Sequence, residues 1–119
     1  MKFVHVTMSV KNLNESLDFY QNIIGLPISR RFFSGESEIV FLGSGETEIE
    51  LIYNKAQSDI SIGQNISLGF EVASLQDAIS LVKQKGLPAG EVMQPNPQVK
   101  FFFTSDPNGA RIQFVENIK

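Results

Sequence analysis

The two halves of the chain carry the same order of sequence patterns. Asn12-Leu13 in the first half corresponds to Ser74-Leu75 in the second, at an offset of 62 residues. The phrase Gly-Leu-Pro occurs at 25–27 and again at 86–88, at an offset of 61 residues. A single repeat of this length indicates two copies of one supersecondary unit related by a pseudo-twofold axis, not a solenoid.

Each copy reads as a strand, a helix and three more strands. In the first copy, residues 3–10 alternate between apolar and more polar side chains, as in a strand with one buried face. A helix follows, with Asn12 or Asn14 as its N-cap and Gly25 at its end. In the second copy, Ser74 opens a helix with a capping-box pattern. The other strands are predicted at residues 28–33, 38–42, 47–53, 65–72, 91–94, 99–104 and 110–116.

This order predicts an α+β fold made of two βαβββ modules that form a curved sheet around a cleft. With 119 residues the chain is expected to be one domain, with modules of about 1–55 and 65–119 joined by the polar stretch 56–64. The alternation further predicts which apolar side chains of the first strands are buried under the helices. They are Val4, Val6, Met8, Ile66, Leu68 and Phe70, against Leu17, Tyr20, Leu75, Ile79 and Val82.

Composition excludes several classes of function. The net charge is −3 and the only adjacent basic pair is Arg30-Arg31, so a nucleic-acid partner is not expected. The chain has no cysteine, which rules out disulfides, thiolate ligands and a cysteine nucleophile. It has no signal-peptide pattern and no apolar run of membrane-spanning length, so we expect a cytoplasmic protein with no membrane partner.

Four strand positions hold a polar residue between two apolar ones. Under the repeat, His5 corresponds to Ser67 and Glu50 corresponds to Gln113. If both sheets curve toward one cleft, these four side chains converge, and a histidine beside a carboxylate suits a borderline divalent cation. The alternative is a solvated sheet face, on which such residues occur without any function, as Glu48 on the same strand face suggests.

Three stretches carry a family resemblance: FVHVTMSVKNLNESLDFYQNIIGLP, IELIYN and SDPNGARIQFVE. They resemble the glyoxalase, bleomycin-resistance and extradiol-dioxygenase superfamily, also called vicinal oxygen chelate (VOC) proteins. The resemblance covers nearly the whole chain, and it implies the same paired βαβββ fold. It also implies a divalent metal in the cleft, which in this superfamily is Mg²⁺, Mn²⁺, Fe²⁺, Ni²⁺ or Zn²⁺, bound to vicinal oxygens of a small-molecule substrate.

Carried over position by position, the glyoxalase I pattern of His, Glu, His and Glu becomes His5, Glu50, Ser67 and Gln113. The implied metal ligands are therefore His5, Glu50 and Gln113, and the implied catalytic positions are Glu50 and Gln113. Ser67 is the serious departure, because a neutral hydroxyl is a poor ligand and is too short to replace an imidazole. We therefore expect a degenerate metal site, with metal bound weakly or not at all.

Two further positions bear on the substrate. Bacterial enzymes that resemble lactoylglutathione lyase often carry an arginine late in the first strand, where this chain has Ser9. Asn54 keeps the Tyr-Asn ending seen after the fourth strand of those enzymes. The resemblance therefore gives only weak support to glutathione as part of the substrate.

Whether the protein is an enzyme is left open by the sequence. One interpretation is a lyase or isomerase of the glyoxalase I type, and the other is a metal-free protein that binds or sequesters a drug. The expected cleft residues are Ser67, Asn54, Phe33, Phe101 and Phe103, and aromatic walls suit a flat ligand. Phe32, Phe41 and Tyr53 are further candidates for these walls, although ordinary core packing is the expectation for at least half of the aromatic set. Small members of the superfamily usually pair, so a homodimer is expected, with a cleft formed within one chain or between two.

Overall fold

The computed structural model describes residues 1–118. The chain separates into two compact units, Met1–Ile62 and a second unit that begins at Gly63. The first unit contains β1 (His5–Ser9), α1 (Leu13–Leu17), a π-helix (Asp18–Ile23), β2 (Ile28–Ser34), β3 (Ser37–Leu42) and β4 (Glu48–Tyr53). The second contains β5 (Ser67–Glu71), α2 (Leu75–Gln84), β6 (Met93–Asn96), β7 (Val99–Ser105) and β8 (Arg111–Asn117).

Each unit has one four-stranded mixed sheet with the same topology. The strand order is β1-β4-β3-β2 in the first sheet and β5-β8-β7-β6 in the second. In both sheets the first and last strands of the module pair in parallel, and the remaining pairs are antiparallel. The two βαβββ modules and the α+β class predicted from the repeat are therefore confirmed.

Each helix is capped by the polar residue that the repeat aligns, Asn12 in the first unit and Ser74 in the second. The Asn12 side chain accepts a hydrogen bond from the backbone N–H of Glu15 at 3.0 Å. Ser74 accepts one from the N–H of Asp77 at 3.2 Å. Each cap satisfies a backbone donor that has no partner inside the helix, which fixes the start of the helix.

The helical segment of the first unit changes character part-way. Only Leu13–Leu17 is α-helical, and the next six residues form a π-helix, where a single α-helix was predicted. Two consecutive aromatic residues in this segment, Phe19 and Tyr20, are both buried, with their ring centroids 4.9 Å apart in an edge-to-face arrangement. The wider π-turn separates consecutive side chains by a smaller angle than an α-turn does, so it suits the burial of two neighbours.

A glycine with positive φ ends the helical segment in both units. Gly25 has φ +92° and Gly86 has φ +74°. The next residue in each unit donates its N–H back into the last turn, from Leu26 to Tyr20 O and from Leu87 to Val82 O, both at 2.9 Å. This is the helix stop that the two Gly-Leu-Pro phrases predicted.

Each unit buries one face of its sheet beneath its helix. In the first unit α1 contacts β4, and in the second α2 contacts β7 and β8. The buried apolar side chains of the first unit include Met8, Val10, Leu13, Leu17, Phe19, Tyr20, Val40, Leu42, Ile49 and Leu51. Those of the second include Leu75, Val82, Phe102, Ala110, Ile112 and Phe114.

The predicted burial of Val4 and Ile66 is wrong. Their side chains are 48% and 57% exposed, because each lies just before the strand whose pairing begins at His5 or Ser67. Met8 is buried as expected, and Val6, Leu68, Phe70 and Ile79 are half-buried.

The turn before β8 is held by a buried carboxylate. One oxygen of Asp106 accepts hydrogen bonds from the N–H groups of Asn108 and Ala110, both at 2.8 Å. Gly109 takes φ +85° and donates its own N–H to Asp106 O at 3.1 Å. The Asp-Pro-Asn-Gly turn thereby fixes where β8 starts and which of its residues share a face.

Within residues 1–118 no helix has the length and apolar character needed to cross a membrane.

Candidate functional site

The sheet face of the first unit that points away from α1 carries the polar residues predicted to be functional. On β1 and β4 the register pairs His5 with Glu48 and Thr7 with Glu50. Their side chains share a face, and His5 Nε2 lies 3.6 Å from Glu50 Oε1. The Thr7 hydroxyl donates to the same oxygen of Glu50 at 2.5 Å. Two residues of β1 therefore fix one carboxylate of β4.

Glu48, the other carboxylate of this face, is already neutralised. One of its oxygens lies 3.7 Å from Arg30 Nη2, and the other accepts a hydrogen bond from the Ser29 hydroxyl. The guanidinium of Arg30 also lies over the ring of Phe41, with its central carbon 3.9 Å from the ring centroid. His5 approaches the same ring edge-on, with the centroids 5.5 Å apart. Glu50 is therefore the carboxylate of this face that has no cationic arginine or lysine partner among residues 1–118.

The His5 and Glu50 pair fits part of a metal-binding shell. Two ligand atoms bound at about 2.1 Å to a tetrahedral cation lie about 3.4 Å apart, close to the separation of 3.6 Å between His5 Nε2 and Glu50 Oε1. The pair supplies only two ligands, however, and no group of three or more His, Cys, Asp or Glu side chains within residues 1–118 is placed to hold a metal ion. The residues present fit two corners of a metal site and do not complete one.

The second unit repeats this sheet face with different chemistry. On β5 and β8 the register pairs Ser67 with Arg111 and Gly69 with Gln113. Compared with the first unit, Ser67 stands at the position of His5 and Gln113 at that of Glu50. The correspondence drawn from the repeat is therefore reproduced by the strand register. That all four side chains converge on one cleft stays a prediction.

The same register places Gly69 where the first unit has Thr7, and Arg111 where it has Glu48. A Cβ on Gly69 would lie only 3.2 Å from Gln113 Oε1, so the Gln113 amide packs directly over the backbone of β5. Arg111 lies over the ring of Phe103, with its central carbon 4.3 Å from the centroid. The second unit therefore has a glycine where the first unit has the Thr7 donor, and the cation of Arg111 where the first unit has the Glu48 carboxylate.

The aromatic candidates divide between the two faces of their sheets. Phe32 stacks on Phe41 with ring planes 18° apart, and Phe101 meets Phe103 edge-on at 5.8 Å. Each of these pairs lies on the face that carries Glu50 or Gln113, because Phe41 pairs with Glu50 and Phe103 with Gln113. Of the six candidates, only Phe41 is buried. The prediction that at least half of them belong to the core is therefore wrong.

Phe33 lies on the opposite face of β2 from Phe32, since successive strand residues alternate. It is 71% exposed, and together with Tyr53 and Lys55 it lines an open depression of about 350 Å³. Asn54 closes the turn after β4, where its amide donates to the Ser37 hydroxyl at 3.2 Å and accepts from the N–H of Ala56 at 2.9 Å. The assignment of Phe33 and Asn54 to a ligand cleft stays a prediction.

Sequence reasoning missed four residues of these faces: Thr7, Arg30, Gly69 and Arg111. Thr7 and Gly69 are each two residues beyond a predicted site residue on the same strand, so alternation alone places them on its face. A glycine inside a strand pattern is also a signal of close backbone approach. Neither signal reveals the partner, which depends on the register between strands distant in sequence.

Comparisons with known proteins identify the family. The sequence profile of the Glyoxalase/Bleomycin resistance protein/Dioxygenase superfamily matches residues 2–114. The chain belongs to this superfamily. Membership in the glyoxalase superfamily accounts for the paired βαβββ topology, and it confirms the resemblance drawn from the sequence.

Individual relatives are similar over nearly their whole length. A lactoylglutathione lyase of Neisseria meningitidis is 30% identical, in an alignment that covers 98% of this chain and 91% of the lyase. Among solved structures, a glyoxalase family protein from Bacillus cereus has a TM-score of 0.87 at 20% identity, covering 100% of this chain and 95% of that one. An antibiotic-binding protein from a Streptomyces species has a TM-score of 0.78 at 12% identity, covering 98% and 96%. The two structural similarities establish a shared fold.

Proposed function

We propose that this glyoxalase-superfamily protein binds a small molecule, holds divalent metal only weakly, and has little lactoylglutathione lyase activity. One observation carries the proposal. The register places Ser67 and Gln113 at the second-unit positions that correspond to His5 and Glu50. The ligand set implied by the resemblance is thereby reduced to one imidazole, one carboxylate and one amide oxygen.

The charge of the second sheet face also supports a weak site. Arg111 stands at the register position of Glu48, beside Ser67 and two residues before Gln113. A guanidinium close to an intended cation site disfavours the cation, and an amide ligand supplies no negative charge to offset it. The second unit thus supplies a divalent ion with weaker ligands and less negative charge than the first unit does.

A metal-dependent lyase is the second candidate. The Neisseria meningitidis relative named lactoylglutathione lyase supports it, because its identity of 30% extends over nearly the whole of both chains. In this candidate the metal would polarise a carbonyl and a carboxylate would move a proton. Since the Gln113 amide does not titrate, Glu50 would have to serve as ligand and base together, and for that reason we rank the lyase second.

A metal-free binding protein is the third candidate. It is supported by the aromatic pairs Phe32 and Phe41 on one sheet and Phe101 and Phe103 on the other, which offer flat apolar surface beside polar groups. The similarity to an antibiotic-binding protein is consistent with it at the level of the fold. This candidate differs from the first only in the complete absence of metal.

The assembly and location of the protein are further parts of the proposal. We expect a homodimer in the cytoplasm, as the resemblance and the sequence suggested. Sedimentation of the purified protein at tens of micromolar tests the dimer, and a single monomeric species would contradict it. Fractionation of the source cells tests the location.

Two measurements test the metal site. The first is the metal content of protein purified without a His-tag, and the second is a calorimetric titration of that protein with Ni²⁺ and Zn²⁺. The wild type should bind weakly or not at all. The double variant Ser67→His with Gln113→Glu should bind at least tenfold more tightly, since it copies the His5 and Glu50 pair into the second unit, and each single change should help less.

The matched control adds the same two residue types at exposed positions, Ser61→His with Gln76→Glu, and should leave metal binding unchanged. A tight metal site in the wild type, or substantial lactoylglutathione lyase activity, would overturn the proposal. A double variant that binds no better than the control would show that these strand positions do not form a metal site.

A further inference from the structure

Arg111 is a half-buried cation without an anionic partner. Arg30 lies 3.7 Å from Glu48, and Arg31 lies 2.6 Å from Glu38. In contrast, no carboxylate of residues 1–118 lies within 4.0 Å of the Arg111 guanidinium. The ring of Phe103 lies 4.3 Å beneath it and orients the planar group. An oriented, partly desolvated guanidinium with its donors unused is suited to bind an anion.

Two neutral donors lie on the same face. Ser67 is the register partner of Arg111 across the β5 and β8 pair, and Gln113 is the next residue of β8 on that face. Neither the Ser67 hydroxyl nor the Gln113 amide makes a hydrogen bond to another described residue. Because Gly69 has no side chain, Oε1 of Gln113 can approach β5 closely, only 3.2 Å from the position that a Cβ of residue 69 would take. Three donor groups thus share one end of the face.

We propose that this face of the second unit binds a small aromatic carboxylate. The carboxylate would accept paired hydrogen bonds from Arg111 and further ones from Gln113 or Ser67. Its ring would pack beside Phe101 and Phe103, which meet edge-on at 5.8 Å and are both half-buried. The inference deepens the proposed function, because it rests on the protein binding a small molecule and names the chemical class.

Glu71, the acid that β5 carries on this face, does not neutralise Arg111. Glu71 lies four residues along β5 from Ser67, a distance of about 13 Å for an extended strand, and its carboxylate accepts a hydrogen bond from the Asn117 amide. Arg111 is thus the charged residue of β5 and β8 at the end of this face near Ser67 and Gln113. In the first unit the equivalent end carries Glu48 paired with Arg30, so an anion is expected to prefer the second unit.

The test is a titration of the wild-type protein with sodium benzoate, followed by NMR of the backbone amides. Benzamide, which has nearly the same shape and no charge, is the matched probe. Benzoate should bind at least tenfold more tightly than benzamide, as expected for hydrogen bonds to a charged group. The amides that shift should belong to residues 67–71, 99–105 and 111–115, which form this face.

Variants locate the recognition at Arg111. Arg111→Gln should weaken benzoate binding at least tenfold and benzamide binding much less, because only the carboxylate pairs its own charge with that of the guanidinium. Arg111→Lys should give an intermediate loss, because it keeps the charge but not the paired donors. Arg31→Gln is the control, since it removes the same charge from an exposed ion pair on the other face of the first sheet and should not affect benzoate.

Three results would overturn the inference: equal affinity for benzoate and benzamide, the same loss in Arg111→Gln and Arg31→Gln, or shifts confined to residues outside the named strands. These outcomes are separable from failure of the proposed function. A tight wild-type metal site or strong lyase activity would refute the proposed function whatever benzoate does. Absence of benzoate binding would refute the carboxylate site while the metal result stands.

Discussion

Removal of the Asp106 side chain should destabilise the second unit, because this carboxylate holds the turn before β8. Its carboxylate is only 4% exposed, and one of its oxygens accepts N–H bonds from Asn108 and Ala110 at 2.8 Å each. Asn108 and Ala110 are themselves buried, so water cannot easily replace the lost acceptor. The turn they form sets the start of β8, which carries Arg111 and Gln113.

The expected cost follows from these two bonds. A hydrogen bond to a charged group contributes about 1.5–3 kcal/mol, so the loss of both bonds in Asp106→Ala should lower the free energy of unfolding by about 3 kcal/mol or more. Asp106→Asn keeps an acceptor oxygen in nearly the same place and loses only the charge. It should cost about 1.5 kcal/mol, half the loss in Asp106→Ala, since neutral bonds are roughly half as strong as charge-assisted ones.

The assay is urea unfolding of wild type, Asp106→Ala and Asp106→Asn, monitored by two probes to verify a single transition. Asp77→Ala is a matched control, because it removes a carboxylate from the exposed first turn of α2. It should cost no more than about 1 kcal/mol, the usual range for a charge at a helix N-terminus. If Asp106→Ala costs no more than the control, or if Asp106→Asn is as damaging as Asp106→Ala, the two bonds to the Asp106 carboxylate do not hold the turn.

Two smaller perturbations test other features of the fold. Thr104→Val should raise the free energy of unfolding by about 1 kcal/mol, because the Thr104 hydroxyl is buried with no hydrogen-bond partner among residues 1–118. Thr104→Ser keeps the hydroxyl and should not stabilise the protein. Equal effects of the two substitutions in urea unfolding would contradict this expectation. Gly25→Ala should cost about 1 kcal/mol or more, since Gly25 has φ +92°. Gly45→Ala, at a position with ordinary φ and open space around it, should cost little, and equal losses would refute the conformational argument.

The fold was predictable because its signals are local. Alternation along each strand, the caps at Asn12 and Ser74, and the two Gly-Leu-Pro stops each involve a few neighbouring residues, and the repeat allowed one half to support the other. The errors lie where local signals end. Alternation extends to Val4 and Ile66, but it does not state where pairing with another strand begins, so their exposure was not foreseen.

The candidate site was predictable only in part, because its contacts depend on register between distant strands. His5, Glu50, Ser67 and Gln113 could be selected as strand residues on one face. The hydrogen bond from Thr7 to Glu50 joins residues 43 apart in sequence, and the Arg30 contact with Glu48 depends on the bulge between Ile28 and Arg30 in β2. No periodicity in the sequence encodes either partner.

Arg111 links the two proposals and provides a further test of the metal argument. It is the register partner of Ser67, so the backbones at the two positions lie one strand spacing, about 4.8 Å, apart, and a histidine introduced at 67 would share its sheet face with the guanidinium. A unit positive charge about 6 Å from a divalent ion costs about 1.4–5.5 kcal/mol for effective dielectric constants between 80 and 20, before screening by salt. The guanidinium should therefore oppose metal binding even after two ligands are restored.

Adding Arg111→Gln to Ser67→His with Gln113→Glu should strengthen Ni²⁺ binding by about a further tenfold, the lower end of that range. The gain should shrink as salt rises, because the repulsion is electrostatic. Adding Arg31→Gln to the same double variant controls for net charge, since Arg31 is paired with Glu38 on the other face of the first sheet. Calorimetric titrations at low and high salt measure both. Equal gains in Ni²⁺ affinity from the two additions would mean that overall charge, not the placement of Arg111, governs cation binding. A gain in affinity that does not change with salt would indicate a steric effect of the arginine instead.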